Sequence, residues 1–187
     1  MTSTNTAYWE QLWREGRRYR SLASWEEKIL AAQVGPGRGR AALDIGCGTG
    51  ELAGHLSSRL SYTVTAIDCS PTALAAAEHQ HGSPGIDFRL MDFAADDPAD
   101  LPQPAYALVT CRLVFRWMPD KGAFLDRVRR VLAPGGVFWV ATSLHDPEEG
   151  PAQEWDLSPA DAELLTANWS VVRRSSSRTF HCLALRP

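Results

Sequence analysis

Apolar residues near the start of the chain recur at helical spacing. One predicted helix has aromatic and aliphatic residues near one face and arginines on the other side. The apolar residues are Tyr8, Trp9, Leu12, Trp13 and Tyr19. Ser24 predicts the start of a second helix, with Glu27 placed for a capping box. The glycines and proline of residues 35–39 end that helix. The pattern predicts an N-terminal helical cap over residues 1–35.

From residue 41 onward, short β-rich apolar runs alternate with helical patterns. This alternation indicates a mostly parallel sheet with helices on both faces. The last two strands have so short a connection that they must pair antiparallel. The prediction is one doubly wound α/β domain over residues 1–187, with a seven-stranded sheet in its core (41–187). The predicted strands are 41–45, 63–68, 86–90, 107–111, 137–141, 171–174 and 180–185.

Composition and charge narrow the class of protein. A chain of 187 residues fits one domain with a sizeable core. Its net charge of −3 gives no electrostatic case for nucleic acid or an anionic membrane as partner. The longest apolar runs are too short to span a bilayer, and the polar residues 1–6 are not a secretory signal, so we expect a cytoplasmic protein. None of the four cysteines forms a CxxC pair, so we expect no metal site.

The segment LDIGCGTG, residues 43–50, is the most informative stretch of the chain. Its glycines form a turn between a buried strand and a helix, where the chain can approach a ligand closely and the helix presents free N–H groups. A dinucleotide-binding turn has the pattern G-x-G-x-x-G, which here would place its third glycine at position 51. Glu51 stands there instead, and its carboxylate would repel a pyrophosphate. The turn therefore disfavours NAD and FAD as ligands.

The glycine turn resembles motif I of the class I S-adenosylmethionine-dependent methyltransferases. That motif, D-x-G-x-G-x-G, is matched by Asp44, Gly46, Gly48 and Gly50. The resemblance implies a Rossmann-like fold and S-adenosyl-L-methionine as cofactor. It also implies that Asp44 serves the ammonium side of the cofactor, directly or through water. The helix N-terminus suits the carboxylate of the same ligand.

Further elements resemble the same family in the expected order. Asp68 closes the second strand, where a carboxylate can accept both hydroxyls of a ribose. Asp92 resembles the residue that receives the adenine amino group, with apolar neighbours for the ring. Residues 108–112 resemble the strand-four motif that borders the methionine moiety, and residues 132–136 resemble the turn before strand five. The expected cofactor-binding residues are Asp44, Gly46, Cys47, Gly48, Asp68, Cys69, Met91, Asp92, Phe93 and Cys111.

The acceptor side is less defined. The aromatic residues of the cap could face the sulfonium or simply pack the helix on the sheet. His145 is a weak candidate for a general base, and a surface position is the other interpretation. Arg116 could likewise be a surface residue. The candidate acceptor-binding residues are Trp9, Trp13, Tyr19, Arg112 and Trp117.

Motifs of other methyltransferase classes are absent from the sequence, which favours a small organic acceptor, a specialised metabolite being one option. The chain has no Asn/Asp-Pro-Pro run of the nucleic-acid amine enzymes and no Pro-Cys dipeptide of the pyrimidine C5 enzymes. We expect a monomer or a homodimer, the latter if a second subunit completes an open site. The alternative function is a non-catalytic module that binds S-adenosylmethionine and regulates a partner protein.

Overall fold

The computed structural model describes residues 4–17, 19–145, 151–177 and 180–187. Helices and strands alternate through most of this chain. The helices are α1 (Thr4–Arg14), α2 (Ser24–Val34), α3 (Glu51–Ser58), α4 (Pro71–His81), α5 (Lys121–Val131) and α6 (Pro159–Thr166). The strands are β1 (Ala41–Ile45), β2 (Thr63–Asp68), β3 (Ile86–Leu90), β4 (Tyr106–Arg112), β5 (Leu132–Leu144), β6 (Asp156–Leu157), β7 (Val171–Ser177) and β8 (Phe180–Arg186).

One mixed sheet runs through the molecule in the order β3-β2-β1-β4-β5-β8-β7. Strands β1 to β5 are parallel to one another, and β8 is antiparallel to both β5 and β7. The expected doubly wound α/β sheet with an antiparallel closing pair is confirmed. The two-residue strand β6 adds to it by pairing with the end of β5. None of the helices that the structure describes is both long and apolar enough to cross a membrane.

Both faces of the sheet are covered, because alternate residues of its central strands point into different cores. On β1, Leu43 and Ile45 belong to the core that packs against α5 and α6. Ala42 belongs to the other core, which contains Leu30 of α2 and Leu56 of α3. Several helices have an N-cap residue whose side chain accepts a hydrogen bond from the first turn, as expected. Ser70 Oγ, for example, accepts from the Ala73 N–H at 3.1 Å at the start of α4.

The structure differs from the expectation at three boundaries. Helix α1 ends at Arg14, so Tyr19 lies in the connection to α2. The N-cap of α2 is Ala23, and it is Glu26 rather than Glu27 whose carboxylate accepts from the Ala23 N–H, at 3.1 Å. Strand β5 begins at Leu132, before the Pro-Gly-Gly segment, because Leu132 already pairs with β4 ahead of a register shift.

Candidate active site

A cavity of about 1040 Å³ lies at the carboxyl ends of the parallel strands. It opens where the strand order reverses, between β1 and β4, which is the usual position of ligands in open α/β sheets. Nine of the residues expected to bind the cofactor line it: Asp44, Gly46, Cys47, Gly48, Asp68, Cys69, Met91, Asp92 and Phe93. The strand ends therefore bring the separate motif residues into one site.

The glycine turn after β1 has no room for side chains. Gly46 has a φ of +67°, and a Cβ added to it would lie 2.5 Å from a methyl group of Val114. Gly48 has a φ of +53°, and its added Cβ would lie 3.2 Å from the Trp13 ring. Both positive φ values are unfavourable for residues with a Cβ. The turn thus keeps the backbone itself at the cavity surface.

Asp68, the last residue of β2, braces this turn. One carboxylate oxygen accepts from the Gly48 N–H at 2.9 Å, and the other accepts from the Ser70 N–H at 2.9 Å. Burial raises the pKa of Asp68, although these backbone hydrogen bonds oppose the shift. Each carboxylate oxygen has two lone pairs, so both can still accept a further hydrogen bond from a ligand.

Asp44 carries a buried carboxylate oxygen without a hydrogen-bond partner. Its Oδ1 accepts from the Thr110 hydroxyl at 2.8 Å, whereas its Oδ2 forms no hydrogen bond of normal geometry with the described residues, although the backbone N–H of Ala53 is near enough to lower the pKa of the carboxylate. Burial raises the pKa of Asp44 to about 7, against the opposing effect of the Thr110 hydrogen bond. An unsatisfied buried acceptor is costly. A cationic ligand group at this oxygen would remove that cost, so the site fits the ammonium of S-adenosylmethionine.

Asp92 follows β3 and is held from two sides. Its Oδ1 accepts from the Ala94 N–H at 3.0 Å, and its Oδ2 accepts from the hydroxyl of Thr6 in α1 at 3.2 Å. The flanking Met91 and Phe93 side chains are buried and also reach the cavity. This polar group between two apolar side chains suits a planar base with an exocyclic amine.

An aromatic wall, formed by Trp9, Trp13, Tyr19 and Trp117, also lines the cavity. The ring of Trp9 lies 5.3 Å from that of Trp117 and 5.8 Å from that of Tyr19. Tyr19 in turn lies 5.2 Å from Trp13. All of these contacts are edge-to-face. The four aromatic residues expected near the acceptor therefore lie together at the cavity, and their contact with an acceptor stays a prediction.

Arg112 also lies at the cavity, where its guanidinium holds the N-terminal cap. Its Nε donates to Glu26 Oε1 at 2.8 Å, and its terminal nitrogens donate to the carbonyl oxygens of Arg20 and Ser21, each at 2.9 Å. Glu51 stands where a dinucleotide-binding turn would have its third glycine. Its carboxylate accepts a hydrogen bond from the Leu22 N–H at 2.7 Å. Both side chains therefore fix the segment between α1 and α2.

Helix α1 is anchored separately, through Glu10. Its carboxylate accepts from the hydroxyls of Ser70 and Thr72 at 2.6 and 2.7 Å, at the start of α4. Partial burial raises the pKa of Glu10, but the hydrogen bonds from Ser70 and Thr72 outweigh it and bring the pKa down to about 2. Glu10 therefore stays charged, and the anchor persists, at neutral pH.

Two expected site residues do not line the cavity. The Cys111 side chain is fully buried in the core beside Ile45 and Phe115, because alternation along β4 turns it away from the opening. His145 is also absent from the cavity lining, since β5 has ended and its backbone N–H faces Leu157 of β6 at 3.4 Å. The cavity lining thus gives no support to His145 as a base, and that role stays an untested prediction.

A hydroxyl–carboxylate pair at the end of β5 had no counterpart in the sequence interpretation. Ser143 lines the cavity, and its hydroxyl donates to the carboxylate of Asp156 at 2.5 Å. The other oxygen of Asp156 accepts from the Gln153 N–H at 2.8 Å. The pair depends on the contact between β5 and the two-residue β6, which is too short to produce a recognisable sequence pattern.

A family model described as "Methyltransferase domain" matches residues 43–138, about half of the chain. The chain belongs to this family. The match includes the glycine turn and the ends of β1 to β4, and it confirms the resemblance to class I S-adenosylmethionine-dependent methyltransferases.

Relatives and solved structures agree with the family assignment. A ubiquinone biosynthesis O-methyltransferase of Pseudomonas savastanoi pv. phaseolicola is 30% identical over 110 residues, covering 59% of this chain and 47% of that protein. A trans-aconitate 2-methyltransferase of Methylobacterium radiotolerans is 35% identical over 112 residues, covering 59% and 41%. This methyltransferase-family chain therefore spans about half the length of the curated relatives it matches.

Two solved structures share the fold over nearly the whole chain. The DhpI–SAH complex has a TM-score of 0.71 at 23% identity, covering 98% of this chain and 95% of that one. The Haloferax volcanii complex of a methyltransferase with its activator Trm112 has a TM-score of 0.72 at 16% identity, covering 100% and 99%. At these identities the likeness concerns the fold alone.

Proposed function

We propose that this protein binds S-adenosylmethionine in the cavity and transfers its methyl group to a small organic acceptor. The observation that carries the proposal is the pair of buried carboxylates beside the glycine turn. Asp44 has an unpartnered oxygen for an ammonium group, and Asp68 has spare acceptor capacity for a ribose diol. Two such carboxylates at a switch point suit a cationic nucleoside better than a phosphorylated one.

The other donor contacts follow from the strand order. Asp92 follows β3, next to the strand that ends in Asp68, so a base attached to that ribose reaches Asp92. Met91 and Phe93 would cover the faces of the base. The methionine end would then extend towards Asp44 and the start of α3, whose free N–H groups favour a carboxylate.

Bound S-adenosylmethionine supplies an already activated methyl group. The acceptor atom attacks the methyl carbon as the bond to sulfur breaks, and that electron pair stays on sulfur, giving S-adenosylhomocysteine. The protein mainly has to position the two reactants and exclude water. The aromatic wall suits both tasks, and it can also attract the positive sulfonium.

A hydroxyl acceptor also has to lose a proton. Since His145 does not reach the cavity, we assign this role to Asp156, which would take the proton through the Ser143 hydroxyl. The names of two relatives, a ubiquinone biosynthesis O-methyltransferase and a trans-aconitate 2-methyltransferase, support a small organic acceptor in general, and the first name supports an oxygen acceptor. Asp156→Asn should slow transfer to a hydroxyl acceptor by about a hundredfold and leave donor binding intact. An unchanged transfer rate would exclude this role for Asp156.

Isothermal titration with S-adenosylmethionine, S-adenosylhomocysteine and NAD tests the donor assignment. We expect S-adenosylmethionine and S-adenosylhomocysteine to bind and NAD not to bind. Binding of NAD but of neither adenosyl compound would refute the donor assignment. A screen of small acceptors, monitored by release of S-adenosylhomocysteine, then tests transfer. The alternative is a non-catalytic module acting on a partner, and the Haloferax volcanii neighbour is one protein of this fold that was solved with a partner protein. Tight donor binding without transfer to any acceptor would support that alternative.

A further inference from the structure

Acidic and basic side chains both line the cavity. The carboxylates Asp44, Asp68 and Asp92 lie at the ends of β1, β2 and β3, where the donor is expected. The cations come from the cap, the end of β4 and the segment after it, and the side chains of Glu51 and Glu154 also line the cavity. The arginines that line the cavity are Arg17, Arg20, Arg112 and Arg116.

Two of these arginines already have anionic partners. Arg112 pairs with Glu26 at 2.8 Å, and Arg20 lies 3.6 Å from the same carboxylate, with its guanidinium over the Phe180 ring. Their charges are therefore used within the protein. They hold the cap in place and are not available to an acceptor.

Arg116 differs because it forms no ion pair with any residue that the structure describes. Its Nε donates to the backbone carbonyl of Glu154 at 3.0 Å, which fixes one edge of the guanidinium. Within the described part of the chain, its two terminal nitrogens have no hydrogen bond and no ion pair. Arg17, which is exposed at the cavity mouth, likewise forms no ion pair with any described residue. The half-buried Arg116 guanidinium can therefore donate from both terminal nitrogens to the two oxygens of a ligand carboxylate.

The aromatic wall extends from the glycine turn to the segment that carries Arg116. It begins at Trp13, whose ring lies against Gly48, and continues through Tyr19 and Trp9. It ends at Trp117, the residue next to Arg116 in sequence. A flat, apolar ligand lying along this wall would have one end near the donor and the other near a free cation.

We propose that the acceptor is a planar aromatic acid, held by its carboxylate on Arg116 and by its ring on Trp9 and Trp117. The inference rests on the proposed transfer function and specifies the substrate class of the same site. The carboxylate is a recognition group, and a separate nucleophile on the ring system receives the methyl group. Arg17 adds a second positive charge at the entrance and is not needed for the bidentate contact.

The test measures binding to the protein saturated with S-adenosylhomocysteine. The probes are 6-hydroxy-2-naphthoate, its neutral carboxamide and the non-planar cyclohexanecarboxylate, each followed by isothermal titration. We expect the naphthoate to bind at least tenfold more tightly than either of the other two. Arg116→Gln should weaken naphthoate binding by about tenfold to a hundredfold, because a charge-assisted bidentate contact is lost. The same variant should change carboxamide binding by less than about twofold.

Two variants make the result specific. Arg116→Lys keeps the positive charge but cannot form the bidentate contact. Its affinity for the naphthoate should therefore lie between those of Arg116→Gln and the wild type. Arg130→Gln removes an exposed arginine of α5 that does not line the cavity, and it should bind all three probes as the wild type does.

Several outcomes would overturn the acceptor assignment: equal binding of acid and carboxamide, no binding of the acid, or equal loss of both ligands in Arg116→Gln. Binding of S-adenosylhomocysteine is measured first in every variant. If it binds and the acid does not, only the acceptor class is refuted. If it does not bind to the wild type, the proposed function itself has failed.

Discussion

Replacing Glu26 with Gln should destabilise the protein by removing the carboxylate that holds the cap to the sheet. Glu26 is fully buried, and its two oxygens accept from Arg112 at 2.8 and 3.2 Å. Its second oxygen also accepts from the Ala23 N–H at the start of α2. The substitution would leave the largely buried guanidinium of Arg112 without an anion.

The expected cost follows from the burial of the pair. Breaking a buried ion pair by removing one partner costs about 3 kcal/mol. For a domain of this size, that corresponds to a decrease in Tm of roughly 6–12 °C. Arg112→Met should have a smaller effect in the same direction, because the buried Glu26 carboxylate keeps only the longer, 3.6 Å ion pair with Arg20.

Equilibrium denaturation in urea measures the free energies of unfolding. The matched control is Glu27→Gln, on the same helix. The side chain of Glu27 is 39% exposed and, among the residues that the structure describes, forms an ion pair only with His55, so its loss should cost less than about 1 kcal/mol. The reasoning would be refuted if Glu26→Gln cost no more than Glu27→Gln. It would also be refuted if the double variant Glu26→Gln/Arg112→Met lost the full sum of the single effects.

Three further predictions concern the donor site and His145, the weak candidate for a general base. Asp68→Ala should weaken S-adenosylmethionine binding by about tenfold to a hundredfold in isothermal titration, and unchanged affinity would exclude its ribose role. Asp44 is anionic above pH 7 and increasingly neutral below it, so donor affinity should fall by up to about tenfold per pH unit between pH 6.5 and 5.5. When donor affinity is measured over the same pH range with Asp44→Asn, the part of the pH dependence that comes from Asp44 should disappear. If the affinity of the wild type did not change with pH, the role of Asp44 in donor binding would be contradicted. His145→Ala should leave the transfer rate unchanged, and a loss above tenfold would support it as a base.

The donor half of the site could be predicted from the sequence because each of its parts is local. Asp44, Asp68 and Asp92 each follow a short β-rich run directly, and parallel strands end at one edge of a sheet. Serine or aspartate caps and the glycine turn mark the adjoining helices. No long-range contact had to be known to bring these carboxylates together.

The acceptor half could not be predicted to the same depth, because its contacts join distant parts of the chain. Arg112 and Glu26 are 86 residues apart, so neither neighbourhood indicates that the arginine is already paired. The same applies to Ser143 and Asp156, which meet only because β6 adds to β5. Cys111 was misplaced for a simpler reason: on a strand buried on both faces, the apolar pattern does not reveal which side faces a cavity.

The aromatic wall has consequences for binding and for rate that can be separated under the proposed function. Attraction between its rings and the sulfonium is strongest in the bound donor and weakens as the methyl group leaves, since sulfur becomes neutral. An interaction that is stronger in the ground state than in the transition state does not accelerate the chemical step. The wall must therefore contribute to rate in another way, by excluding water and by holding a flat acceptor in line with the methyl group. The edge-to-face contacts of Trp9 with both Tyr19 and Trp117 serve this purpose, because they join the cap and the segment after β4 into one surface.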